Sequence, residues 1–151
     1  MANIQIIVGS MLGGTEYVAE ACEETLSELG HQVTTHLTPE ISEIPTDDQI
    51  WLICTSTHGA GDYPDNIQSF ANALENDDRD LSPLNFFVIG TGDSNYDTFC
   101  FAAKNIKNSL ISKGCKELIS IFTLDMQQDI DPETAAQEWI IANKDQLHPK
   151  S

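Results

Sequence analysis

Apolar and polar positions along this chain fall into blocks of two kinds. The first kind is a short run dense in β-branched and aromatic residues. "NIQIIVGS" (3–10), "IWLICTS" (50–56) and "LNFFVIGTG" (84–92) are of this kind. Such near-continuous apolar runs mark strands covered on both faces. "HQVTTHL" (31–37) is strand-like but more polar, which predicts a position at or near a sheet edge, and "CKELISIFTLD" (115–125) contains a final strand. In the second kind, apolar residues return every three or four positions, the period of a helix with one buried face. The clearest is "GGTEYVAEACEETLSELG" (13–30), where Tyr17, Val18, Ala21, Cys22, Thr25, Leu26 and Leu29 form one stripe. Glu16, Glu20, Glu23, Glu24 and Glu28 lie mostly opposite, and Gly30 is placed to stop the helix. Helices are also predicted over 66–76, over 98–114 with Gly114 as its stop, and over 131–147, where Asp131 is the N-cap, Pro132 the first helical residue and Glu133 lies in the first turn.

Strands alternate with helices, and no connection is short enough for a hairpin. Parallel crossovers follow, with helices on both faces of the sheet. The predicted fold is one doubly wound α/β domain over residues 1–151, with five parallel strands. In such sheets ligands sit beyond the carboxyl ends of the strands, at the point where strand order reverses. Three predicted strands end in glycine-bearing polar loops: "GSMLGGT" (9–15), "STHGAGDYPDN" (56–66) and "GTGDSNYDTFC" (90–100). If the strand order is 2-1-3-4-5, the three loops converge on one crevice.

Composition narrows the classes. Apolar residues make up 40% of the chain, a globular content, and no apolar run approaches the ~20 residues needed to span a bilayer. "MANIQIIVGS" has neither a basic leader nor a small-residue cleavage site, so a cytoplasmic protein is expected. Cys22, Cys54, Cys100 and Cys115 are scattered without a C-x-x-C pair, which predicts separate thiols in or near the core, with no disulfide framework or metal site. The net charge of −17 argues against nucleic acid, because phosphate binding needs Lys and Arg. The imbalance is uneven: residues 1–103 hold 17 acids and one base, Arg79, whereas 104–151 hold 7 acids and 6 lysines. All three loops lie in the acidic part. A field of one sign steers partners of the other, and a monomer or at most a weak dimer is expected.

The loops suggest what the crevice holds. The first joins a strand to a helix, so its backbone N–H groups and the helix N-terminus form an anion site. It lacks the Gly-Lys-Ser/Thr of a P-loop and the G-x-G-x-x-G of a dinucleotide site. With no nearby base, amides and the hydroxyls of Ser10 and Thr15 suit a single terminal phosphate. Tyr96 in the third loop could stack on a planar ligand. Across the crevice, His58 could serve as a base, a metal ligand or a flat surface. No nucleophile motif or partner ligand accompanies it, and the flat-surface role asks only for location. Amides for a phosphate and two flat rings describe a pocket for a planar mononucleotide.

In this order and spacing, "GSMLGGTEYVAE", "STHGAGDYPDN" and "GTGDSNYDTFC" resemble the three FMN-binding loops of the flavodoxin family, and the match covers essentially the full chain. The resemblance implies that Ser10, Met11, Leu12, Gly13, Gly14 and Thr15 cradle the FMN phosphate. It places Ser56, Thr57, His58 and Gly59 along one side of the flavin, and Thr91, Gly92, Asp93 and a stacked Tyr96 along the other. Phe99 and Cys100 belong to the same motif, Cys100 as a packing residue. The Gly59–Ala60 peptide would turn its carbonyl toward the flavin N5 on reduction. Met11 and Leu12 stand where hydroxyl residues are common, Gly14 where Asn is frequent and His58 where Trp or Tyr is usual, so FMN binding weaker than in a typical flavodoxin is expected. The implied activity is single-electron transfer from a basic-faced flavoprotein reductase to a redox enzyme. The combination of loops resembles a branch of the family linked to biotin synthesis. Two other readings remain: a small flavin-dependent NAD(P)H:quinone reductase, although no basic pocket for a nicotinamide nucleotide is evident, and a flavin-free interaction module of the same fold.

Overall fold

The computed structural model describes residues 2–10, 14–57, 62–92, 100–125 and 131–148. Three strands carry the centre of one parallel sheet: β1 (Asn3–Gly9), β3 (Gln49–Thr55) and β4 (Asn85–Gly92). β2 (Gln32–His36) pairs with the free side of β1, and the order is 2-1-3-4-5, the one that brings the three loops to one edge. β2 is the edge strand, and none of its five residues is fully buried.

The two periodicities explain the layers. Even-numbered residues of β1 and β3, among them Ile4, Ile6, Val8, Ile50, Leu52 and Cys54, pack with Val18, Cys22 and Leu26 of α1 (Gly14–Glu28) and Ile140 of α4 (Pro132–Ala142). Their odd-numbered neighbours Ile7, Trp51 and Ile53 pack on the other face with Ile67, Phe70 and Leu74 of α2 (Asp65–Glu75) and Ile106 and Leu110 of α3 (Phe101–Ser112). Each such side chain contributes roughly 1.5–3 kcal/mol by leaving water, which makes these two faces the main source of stability. Trp51 is fully buried, and its indole N–H donates to the Pro45 carbonyl at 2.9 Å, so no polar atom is stranded there.

Both predicted glycine stops act as such. At Gly30 (φ +95°) and Gly114 (φ +89°) the chain turns left-handed. The Gly30 and His31 N–H groups close on the Ser27 and Leu26 carbonyls, and those of Gly114 and Cys115 on Ile111 and Leu110. That paired pattern satisfies the last helical carbonyls. Asp131 caps α4 as expected, accepting from the N–H groups of Glu133 and Thr134.

Two elements differ most from their predicted extents, while α3 starts at Phe101 with Cys100 outside it as a left-handed N-cap. The fifth position of the sheet is filled by two segments, β5 (Lys116–Glu117) and β6 (Phe122–Asp125), each paired with β4. Phe86 pairs with Glu117 and Ile89 with Phe122, so 118–121 carries two residues more than β4 does over the same span. An even surplus breaks the ladder yet leaves the same faces inward. The last helix ends at Ala142 rather than near 147, followed by a short 3-10 turn over Lys144–Gln146. There the Trp139 carbonyl accepts both the backbone N–H and the side-chain amide of Asn143, at 3.1 and 2.9 Å.

His31 ties the chain start to the turn after α1, its Nδ1 accepting the Ala2 N–H at 3.0 Å. Burial holds His31 below the ordinary histidine value, and the positive N-terminus lowers it further. The unfolded chain therefore binds this proton first, near pH ~6.5, and the folded chain only at lower pH. Within that window the contribution of His31 to stability falls as pH falls, and below it the loss is complete. Replacing His31 by Asn keeps an acceptor but removes the titration. Urea midpoints measured from about pH 7.5 to about pH 5.5 should shift in favour of His31→Asn. A difference that does not change with pH would contradict this assignment.

Candidate functional site

The sheet brings the carboxyl ends of β1, β3 and β4 side by side, with Gly9 paired to Thr55 and Thr55 to Gly90. Hydrogen bonds then tie the described ends of the three loops together. The Ser56 N–H donates to the Gly9 carbonyl at 3.0 Å, carrying the β1–β3 ladder one step past the strands. Thr57 accepts the Ala102 N–H on its hydroxyl oxygen at 3.0 Å, fastening the second loop to the first turn of α3. Thr15, near the start of α1, and Thr91, near the end of β4, bring their hydroxyl oxygens to 2.9 Å. Both threonines are buried, at 4% and 2% exposure. Their contact joins the first loop to the third.

Among the residues expected to meet the ligand, Ser10, Gly14, Thr15, Ser56, Thr57, Thr91, Gly92 and Cys100 are described, and all lie at this end of the sheet. Met11, Leu12, Gly13, His58, Gly59, Asp93, Tyr96 and Phe99 lie outside the described residues. Ser56 and Thr57 are half-buried, as is Gly92, which closes β4 and pairs with Asp125. Cys100 is fully buried, and burial pushes its thiol up to about 11, with Asp125 raising it and Lys104 opposing. A thiol so protonated is a packing group and a poor nucleophile at neutral pH. Cys22, Cys54 and Cys115 are likewise buried and free.

The start of α1 fits an anion. The first N–H groups of a helix have no intrahelical acceptor and carry its positive dipole end. A side-chain atom built on Gly14 would meet nothing within 4 Å, so the first turn opens to space. Sequence reasoning gave no role to Asn66, whose side chain accepts the Ser10 N–H at 2.9 Å and donates to the Val8 carbonyl at 2.7 Å. It closes the second loop, but nothing in the residue type announces partners 56 and 58 positions away. A separate cleft of about 430 Å3 lies on the α2–α3 face, lined by Asp62, Tyr63, Gln68, Asn72 and Asn105.

This sheet order, with the carboxyl ends of β1, β3 and β4 tied into one edge, is that of the flavodoxins. The chain belongs to the flavodoxin family, whose profile, described as Flavodoxin, matches residues 6–139. It is 41% identical over 140 residues to Protein MioC of Escherichia coli (strain K12), covering 93% of this chain and 95% of that one. With the Protein MioC homolog of Haemophilus influenzae it shares 39% identity over 138 residues, 91% of this chain and 94% of that one. Among solved structures, a cysteine-to-serine mutant of flavodoxin from Pseudomonas aeruginosa superposes with a TM-score of 0.87 at 29% identity, covering 96% of this chain and 98% of that one. Fold and relatives are those of FMN-type electron-transfer proteins. No helix among the described residues is long and apolar enough to cross a membrane.

The Thr15–Thr91 contact is testable without any ligand. Thr15→Val or Thr91→Val alone leaves a buried hydroxyl without its partner, at a cost of about 1–3 kcal/mol. Removing both should cost less than the sum, with a coupling of about 1 kcal/mol in a double-mutant cycle read by urea unfolding. Strictly additive losses would show that the two hydroxyls do not support each other.

Proposed function

We propose that this chain binds FMN beyond the carboxyl ends of β1, β3 and β4 as a single-domain carrier of single electrons. The observation that supports this best is the stapling of the three loop ends, Ser56 to Gly9, Thr57 to Ala102 and Thr15 to Thr91. Bound FMN supplies the one-electron chemistry, and the chain holds it and sets its surroundings. Ser10 to Thr15 and the first turn of α1 hold the phosphate. Ser56, Thr57, His58 and Gly59 line one side of the flavin. Thr91, Gly92, Asp93 and Tyr96 line the other, with Tyr96 stacked on the ring and Phe99 and Cys100 packing behind. Gly59, with no side chain, lets its peptide with Ala60 turn toward the ring at low steric cost.

The acidic charge has two consequences. A carboxylate ~7 Å from the ring, at an effective dielectric of ~20, opposes an added electron by roughly 2 kcal/mol, or about 100 mV. Several such groups make the reduced protein a strong donor. The same field draws in a basic-faced flavoprotein reductase as donor and orients it at this edge. On the other side of the transfer stands a redox enzyme of a biosynthetic pathway, for which the likeness to MioC proteins favours biotin synthesis, in the cytoplasm.

Titrating FMN into the purified chain should quench flavin fluorescence to a saturable end point. Tyr96→Ala should weaken binding by roughly twofold to tenfold, the worth of ~0.5–1.5 kcal/mol of ring contact. Fluorescence that stays at the free-flavin level would overturn the FMN reading. In a redox titration of the loaded chain, two separated one-electron steps are expected. A single two-electron step, together with steady NADPH oxidation by the chain alone, would favour the quinone reductase.

A further inference from the structure

The ladder between β1 and β2 ends at the pair Ile7–His36, and the chain then bends through Leu37 and Thr38 into Pro39. A proline has no N–H to continue a ladder. Where β2 leaves, the side chain of Asn66 takes its place. In a parallel ladder, one residue donates its N–H to the carbonyl before its partner and accepts the N–H after it. The Asn66 amide does both across Gly9, donating from Nδ2 to the Val8 carbonyl at 2.7 Å and accepting the Ser10 N–H on Oδ1 at 2.9 Å. Its Nδ2 also donates to the Leu37 carbonyl at 3.0 Å, which closes the gap to β2. Asn66 is itself fixed by the first turn of α2, where the Ile67 N–H donates to the Pro64 carbonyl at 3.0 Å and Ile67 is fully buried.

We infer that Asn66 is a positioning residue for the phosphate end of the site: by standing in for a strand residue beside Gly9, it sets the direction in which the chain leaves β1. The inference rests on the FMN reading and extends it. Ser10 through Thr15 begin from the peptide that Asn66 holds, so their amides and hydroxyls inherit its placement. The bond also joins the end of the second loop to the start of the first, so a change in one is felt by the other. An amide is required. Alanine at this position gives up all three bonds, and aspartate keeps an acceptor for Ser10 while losing both donors.

The test compares Asn66→Ala and Asn66→Asp with the wild type, the second variant preserving size if the first folds poorly. Exchange of the Ser10 amide, followed by NMR in the flavin-free chain, should quicken by roughly tenfold or more in Asn66→Ala, while Leu52 in the sheet centre stays protected. In fluorescence titrations both variants should lose about tenfold in affinity for FMN, and less than about twofold for riboflavin, which has no phosphate. A merely structural role would weaken the two flavins alike. Equal losses, or unchanged Ser10 exchange, would overturn the role of Asn66 while FMN binding by the wild type stands. A wild type that binds neither flavin would instead overturn the function reading and, with it, the role toward the phosphate.

Discussion

At Gly9 the backbone of β1 runs so close to α2 that a side chain built there would stand 2.7 Å from Cδ1 of Ile67 and collide with the Thr55 hydroxyl. Both atoms belong to buried side chains, so any residue with a Cβ at this point would require Thr55 and Ile67 to shift. The approach places the start of α2 against the end of β1, and Asn66, one residue before Ile67, comes within reach of Val8 and Ser10. On the other side of the same residue, the Gly9 carbonyl accepts the Ser56 N–H. The second loop is thus fastened at both its ends to the end of β1, to Val8 and Ser10 on one side and to Gly9 on the other. A larger residue here would have to displace the Thr55 and Ile67 side chains that lie beside both attachments.

The rest of the edge builds outward from that point. Pairing through Thr55 and Gly90 sets the end of β4 beside that of β3, and the Thr15–Thr91 contact returns from β4 to the start of α1. The first helix, the two loops and the third strand end therefore form a closed circuit of short bonds around the crevice. These bonds hold the described ends of the loops in place without a ligand. The weakness of the site is the absence of positive side chains in the first loop. Backbone N–H groups and a helix dipole hold a phosphate less strongly than a bidentate arginine does. The acidic field of the first 103 residues works in the same direction, against anion binding and in favour of basic partners.

What could be read from the chain was whatever repeats locally. Apolar runs at 50–56 and 84–92 gave the central strands, polar 31–37 gave the edge, and Gly30 and Gly114 marked helix ends, because each is decided within a few residues. Long-range pairings left no such mark. An asparagine at 66 and threonines at 15 and 91 are ordinary loop and helix residues until the sheet order brings them together. The split of the last strand was hidden for a related reason: 118–121 is as apolar as a strand, and only its register against β4 reveals two surplus residues. At the early end of α4 the bonds tighten to three-residue spacing after Asn143, a change no local pattern in the sequence marks.

The central claim is that the flavin sits at the edge circuit and nowhere else. Backbone NMR of the chain as FMN is added tests it most directly, since each amide reports its own surroundings. The account predicts saturable shifts at Ser10, Gly14, Thr15, Ser56, Thr57, Thr91 and Gly92, with Tyr63, Gln68, Asn72 and Asn105 of the α2–α3 cleft unmoved. Shifts confined to that cleft, or scattered without saturation, would contradict it.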